Sequence, residues 1–222
     1  VLTASRVNIQ RLALAGHNEQ VPTPVRSLKL NTTDKIIAIG ASTGGTEAIK
    51  EVLLGMPVDC PGIVIVQHIP AGFSAAFADR MNRLCHISVK EARHGDNVQP
   101  GLALVAPGGK HLTIVRHGAR YVCELDEHEE VNRHRPSVDK LFMSIVDSAG
   151  RNAAAALLTG MGDDGAEGLL QMRNAGLHTI AQDEATSVVW GMPGEAVKRG
   201  AASEVLPLPR ISRALLGVFG EA

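Results

Sequence analysis

The stretch Gly40-Ala41-Ser42-Thr43-Gly44-Gly45 sets one hydroxyl between glycines at G-x-S-x-G spacing. A turn of this kind, between a strand and a helix, supports one of two chemistries. It can cradle a phosphate against helix N–H groups, or it can expose a serine as a nucleophile. A serine hydroxyl is a weak nucleophile near neutral pH and needs an adjacent base. Histidine can accept that proton and return it to a leaving group. A buried carboxylate then fixes the histidine tautomer and stabilises the imidazolium. The chain offers both partners after other apolar runs. Gln67-His68-Ile69-Pro70 follows GIVIV, and Thr159-Gly160-Met161-Gly162-Asp163-Asp164-Gly165 follows AALL. A hydroxyl, an imidazole and a carboxylate at successive strand ends read as the parts of an acyl-transfer triad. Gly44 and Gly45 let a substrate approach closely, and N–H groups at a helix start can stabilise an oxyanion.

Each residue alone also has a plainer use. Ser42 can cap a helix, His68 can be a hydrogen-bonded structural histidine, and Asp163 and Asp164 can cap the helical pattern AEGLLQM. The conjunction at three strand ends favours chemistry. A phosphate cradle fits less well, because Ser42 stands where G-x-G-x-x-G requires its second glycine and no P-loop lysine follows. His111, His117, His128 and His134 lack metal-ligand spacing, and no H-E-x-x-H occurs, so no metal or cofactor is expected. Cys85-His86 follows a helical pattern rather than a strand-end turn, which argues against a thiol nucleophile. Arg133, His134 and Arg135 precede a proline at a helix start; they serve either as a charged cap or as a lip for an acidic substrate.

The elements that must position these groups are legible as alternating patterns. KIIAIG, GIVIVQH, AALLTG and HTIAQ are apolar and bounded by glycine or polar turns, as buried parallel strands are. TEAIKEVLLGM, SAAFADRMNRL, SVDKLFMSIVDSAG and AEGLLQMRNAG carry apolar residues at helical spacing. The alternation predicts an α/β fold, a mostly parallel, doubly wound sheet covered by helices on both faces. In such sheets ligands sit beyond the carboxyl ends of the strands, which is where the candidate residues fall. The segment from Ile87 to Glu127 has no long helix and reads as a β-hairpin excursion with turns at PGG and HGA. Residues 1–34 are polar and proline-broken apart from a short helical pattern in RVNIQRLALAG, and read as a linker.

Composition sets limits on function. The 222 residues are 45% hydrophobic and 20% charged, ordinary for a globular domain. A net charge of −1 and 3% aromatic residues give neither the basic face nor the stacking platform of a nucleic-acid binder. The apolar runs are strand-sized, well short of the roughly 20 residues of a membrane span. Three scattered cysteines fit a reducing compartment such as the cytoplasm.

The order of the triad separates the chain from the α/β-hydrolases, which place the acid before the histidine. The motifs IGASTGGTEAI, QHIP, VAPGGKH, VNRHRPSVD, LTGMGDDGAEG and TIAQDEATSVVWGMPGEA, in this order, instead closely resemble the protein-glutamate methylesterases of bacterial chemotaxis, the CheB family. The resemblance runs from about Lys35 to the C-terminus and implies a three-layer αβα catalytic domain over 35–222. It implies Ser42 as nucleophile, His68 as base, Asp164 as acid and the Met161 N–H as oxyanion donor. Apart from the resemblance, Thr43 beside Ser42, and Arg135 if its segment is a lip, are candidate substrate contacts. The implied activity is hydrolysis of glutamyl methyl esters on the cytoplasmic helices of chemoreceptors, with deamidation of receptor glutamines. No cofactor, metal, nucleic acid or membrane insertion is implied. The family normally carries an N-terminal phosphoacceptor receiver domain that covers the site. No such pattern occurs in residues 1–34, which then correspond to the interdomain linker, and the chain to the isolated catalytic domain. Hydrolysis of a different acyl substrate, or a non-catalytic receptor-binding role, are the alternatives.

Overall fold

The computed structural model describes residues 35–220. The linker expected at 1–34, with its short helical pattern, lies outside the described residues.

In chain order the strands are β1 (Ile36–Ala41), β2 (Gly62–Gln67), β3 (Ser88–Glu91), β4 (Asn97–Val98), β5 (Leu102–Val105), β6 (His111–His117), β7 (Arg120–Asp126), β8 (Ala153–Leu157), β9 (His178–Gln182) and β10 (Glu204–Leu206). The helices are α1 (Gly45–Leu54), α2 (Ser74–Leu84), α3 (Val138–Ala149), α4 (Ala166–Asn174), α5 (Met192–Lys198) and α6 (Leu208–Gly217). Seven strands form one sheet in the order β10-β9-β8-β1-β2-β5-β3, and every neighbouring pair is parallel.

The continuous apolar runs of the central strands follow from burial on both faces. Ile36, Ala38, Val64, Val66, Ala155 and Leu157 face a core closed by α3, α4 and α5. Ile37, Ile39, Ile63, Ile65, Ala154 and Ala156 face a second core closed by α1, α2 and α6. Alternate residues of one strand therefore serve different cores, and no polar face is left to show in the sequence. The expected three-layer αβα arrangement is the one observed.

The segment after α2 differs in part from a pure hairpin excursion. Only β4, β7 and β6 form the separate antiparallel sheet, in that order. β3 and β5 join the main sheet in parallel, at its edge. β3 alternates exposed and buried residues, as an edge strand does, and this pattern is the same as that of a hairpin strand. The HGA turn does close β6 onto β7, with His117 opposite Arg120. The PGG turn instead leads from β5 into β6 and closes no hairpin. The small sheet packs on the α3 face, where Leu112, Ile114, Tyr121 and Cys123 enter the first core.

The strand order places a topological switch at β1. α1 follows β1 on one face, whereas α4 follows β8 on the other. Chain leaving β1 and β8 diverges there, which opens the crevice that doubly wound sheets use for ligands.

Candidate active site

β1 has β2 on one side and β8 on the other. The three candidate residues therefore come from the carboxyl ends of adjacent strands. The β1–β2 register pairs Ala41 with Gln67, so Ser42 and His68 are the next pair across strands about 4.8 Å apart. The His68 N–H continues the ladder to the Ala41 carbonyl at 3.0 Å. Gln67, 4% exposed, clamps both residues: its Nε2 donates to the Ser42 carbonyl at 2.9 Å and to the His68 carbonyl at 3.1 Å. On the opposite side the Ser42 N–H donates to Thr159 O at 3.0 Å.

Ser42 is not a helix cap. Gly44 occupies the N-cap of α1 at φ 79, and no side chain caps that helix. A left-handed residue there turns the chain sharply from strand to helix, a conformation that suits glycine. Ser42 is half-buried, whereas Thr43 beside it is exposed. The Ser42 hydroxyl makes no hydrogen bond to the described residues; catalytic contacts in unliganded sites commonly tighten only with substrate.

The two aspartates separate cleanly. The Asp163 side chain is 57% exposed and pairs with Arg199 at 2.9 Å. Asp164 is 1% exposed. Neither side chain caps α4, whose N-cap is Gly165. Asp164 sits instead on the N-terminus of a different helix, α3. Its carboxylate accepts from the Val138 N–H at 2.7 Å, the Asp139 N–H at 3.3 Å, the Ser137 hydroxyl at 2.8 Å and Asn132 Nδ2 at 2.9 Å. Oδ2 also meets His68 Nε2 at 2.7 Å. Burial alone would raise the Asp164 pKa; the hydrogen bonds from His68, Asn132 and the Val138 N–H outweigh it and hold the carboxyl below the ordinary aspartate value. An ionised Asp164 also lies where the α3 dipole favours negative charge.

Bound to that carboxylate, Nε2 of His68 carries the proton. The other ring nitrogen, Nδ1, is buried and has no hydrogen-bond partner among the described residues. It is the one nitrogen of the ring able to act as a base. The ring is covered by His134, stacked on it with centroids 3.7 Å apart and planes 13° from parallel. Burial and the neighbouring His68 lower the His134 pKa, which favours its neutral form.

His134 belongs to a strap, residues 131–137, that a sequence reading could treat only as a charged cap or a lip. The structure pins the strap at both ends. His111, fully buried, offers Nε2 to the Glu129 carbonyl at 3.0 Å and accepts the Ser137 N–H at Nδ1 at 3.3 Å. Arg135 Nη1 donates to the carbonyls of Glu127 and His128 at 2.7 and 2.9 Å. Asn132 and Arg133 are both left-handed, at φ 53 and 64. That bend aims Asn132 Nδ2 at two carboxylates, Asp164 and the buried Asp139, the latter at 2.6 Å. Burial first, then the Asp164 charge, push the Asp139 pKa up, against the pull of its hydrogen bonds from Gly168 and Asn132.

Gly160 and Met161 form the remaining wall. A Cβ on Gly160 would lie 2.8 Å from that of Ser42, so glycine is needed for the close approach. The Met161 side chain is 53% exposed, and its N–H donates to no acceptor among the described residues. Thr43 and Met161 thus flank Ser42 at an accessible rim. Cys85 is no competing nucleophile, since burial pushes its thiol up to about 11.

Of the residues singled out from the sequence, the structure brings Ser42, His68, Asp164 and the Met161 turn together at adjacent strand ends. Sequence reasoning missed the bracing by Gln67, Asn132, His111 and Asp139, and the stack of His134 on His68. The VNRHRPSVD motif signalled that something was there without saying what.

Residues 37–215 match the family described as CheB methylesterase. The chain is 54% identical over 228 residues to protein-glutamate methylesterase/protein-glutamine glutaminase 2 of Xanthomonas axonopodis pv. citri, covering 97% of this chain and 65% of that one. It is 54% identical to the like-named protein of Xanthomonas oryzae pv. oryzae, covering 92% and 57%. The chain thus spans less than two thirds of the length of these relatives. The crystal structure of the Thermotoga maritima CheB methylesterase catalytic domain superposes with a TM-score of 0.81 at 35% identity, over 83% of this chain and 98% of that one.

Proposed function

The chain belongs to the CheB methylesterase family, and from that premise we propose that it is a serine hydrolase that removes methyl esters from glutamates of bacterial chemoreceptors. The observation that carries this reading is the His68 ring, held by Asp164 at Nε2 and free at a buried Nδ1, in register beside Ser42. The relatives' names point to protein glutamate methyl esters and glutamines, and the rim supports a protein substrate. Exposed Thr43 and Met161 beside Ser42 leave room for a side chain presented on a large partner, here a receptor helix.

In this reading Ser42 Oγ attacks the glutamyl ester carbonyl and its proton passes to His68 Nδ1. The Met161 N–H donates to the oxyanion, a contribution of roughly 10²–10³-fold in kcat for one such donor. The intermediate collapses, methanol leaves with the proton from Nδ1, and Ser42 holds the glutamyl group as an ester. Water then attacks that ester and gives one proton to Nδ1; the bond to Ser42 Oγ breaks, Ser42 takes that proton back, and the glutamic acid leaves and loses its remaining proton to solvent. Asp164 stays ionised and holds the imidazolium. A glutamine side chain would follow the same course with ammonia as leaving group, which accounts for deamidation by one triad. Thr43 and the remaining donors of Arg135 are the candidate substrate contacts.

Partners and setting follow from the family. In this reading the domain 35–222 acts on receptor helices in the cytoplasm, and residues 1–34 correspond to the interdomain linker of the family. Among the described residues, no helix is long and apolar enough to cross a membrane.

The test is methanol release from methylated chemoreceptor membranes by the wild type and by Ser42→Ala. Release by the wild type that disappears in a folded Ser42→Ala is expected. Release that persists in the variant would overturn the nucleophile, and no release by a folded wild type would overturn the substrate.

A further inference from the structure

The geometry points to His134 as a positioning residue: through the 131–137 strap it holds the His68 ring, by face-to-face packing, in the plane that aims Nδ1 at Ser42. This rests on the reading of His68 as the general base.

The His68 ring needs such a restraint. Its one polar anchor among the described residues is the bond from Nε2 to Asp164. Rotation about the Cβ–Cγ bond swings Nδ1 farther than Nε2, so an anchor at Nε2 alone leaves Nδ1 free to rock. No hydrogen bond holds Nδ1. A flat group at 3.7 Å, tilted by 13°, blocks that motion from one face. Proton transfer depends on Nδ1 lying within hydrogen-bond reach of the serine, so a fixed ring plane bears directly on rate.

The strap is built to keep His134 there. Val131 and His134 exchange backbone hydrogen bonds of 3.1 and 2.9 Å, which closes a tight loop at the stacking residue. Asn132, at the tip, ties the loop to Asp164 itself. The anchor of the base and the anchor of the strap are therefore one carboxylate, and base and cover keep a common reference point. His134 does this by its flat face. Its neutral form, favoured by burial and by His68, keeps it from competing with His68 for the catalytic proton.

The experiment compares wild type, His134→Ala and His134→Phe. Phenylalanine keeps a flat ring at the stack and carries no proton. Two readouts are used: kcat and KM for methanol release, and the rate at which a fluorophosphonate probe labels Ser42, which needs no receptor. Cooperative unfolding confirms that each variant is folded. For His134→Ala, kcat and labelling fall together by about 10- to 100-fold, the scale of a small misplacement of reacting groups, while KM stays near wild type. His134→Phe restores most of both rates. A folded His134→Ala within two-fold of wild type would overturn the inference, as would a folded His134→Phe no better than His134→Ala. If His134→Ala does not fold, labelling by His134→Phe alone decides on the same terms. Wild type that labels but releases no methanol would refute the receptor substrate and leave the labelling comparison valid. Folded wild type that does not label would refute the triad and this inference with it.

Discussion

Asp164 joins two tasks in one carboxylate. It terminates the N-terminus of α3 by accepting from the Val138 and Asp139 N–H groups, and it holds His68 at Nε2. Ser137 takes the next helical donor, Lys140 N, at 3.4 Å. The first turn of α3 thus has its orphan donors satisfied by Asp164 and by Ser137 beside it. Every group facing Asp164 is a donor, so an amide at this position would set its NH₂ against at least one of them. Asp164→Asn is expected to lower kcat by about 10⁴-fold, through loss of the histidine tautomer, and to cost about 1–3 kcal/mol of stability. Asp163→Asn removes only an exposed pair with Arg199, and is expected to keep kcat within about two-fold and stability within about 0.5 kcal/mol. Methanol release and urea unfolding of the two variants test this. Equal losses would refute the assignment of the acid.

At the scale of elements, the site exists because β8, β1 and β2 are neighbours while the helices that follow β1 and β8 lie on opposite faces. The turn after β8 must pass against the turn after β1, and Gly160 is the point of contact. Gly160→Ala would drive a methyl group into Met192 Sδ and against the Ser42 Cβ. Such overpacking costs about 1–3 kcal/mol, and displacement of the nucleophile is expected to lower kcat by about 10- to 100-fold. A variant that is destabilised yet labels Ser42 at the wild-type rate would show that the contact does not position the serine. This level also explains what a sequence reading can reach. The strand ends were legible, because apolar runs bounded by glycine or polar turns mark where β1, β2 and β8 stop. The strap was not, because residues 131–137 have no periodicity and their roles come from tertiary contacts. His134 reaches His68 only after Asn132 and Arg133 take left-handed backbone angles, and neither residue type announces that. Edge strand β3 was misplaced for a related reason: a strand half exposed at the rim of a parallel sheet carries the same alternation as a hairpin strand.

For the whole molecule, the site is a charged cluster set in the end of an apolar sheet, and this couples its chemistry to folding. Both cores are built mainly from aliphatic residues with almost no exposure, and the contribution of those residues is independent of pH. The buried carboxylates are not neutral in this sense. The folded pKa of Asp164 is below its unfolded value, so the folded state is stabilised when the group is ionised. That stability is fully present above the ordinary aspartate pKa of about 3.9 and is lost as pH falls through the lower, folded value. Asp139 works in the opposite sense. Its folded pKa is raised, so its contribution is present below the unfolded value and is lost as pH rises through the folded one. The two oppose each other in the wild type, and total stability against pH blurs both. The difference between wild type and Asp164→Asn reduces the overlap, since Asp139 is present in each and its pKa differs between them only through loss of the Asp164 charge. That difference, measured by urea unfolding, is expected to be constant from pH 7 to about pH 5 and to shrink as pH falls below about 4. A difference that stays constant down to the pH at which the wild type itself unfolds would mean that Asp164 is not held as the ionised anchor of His68.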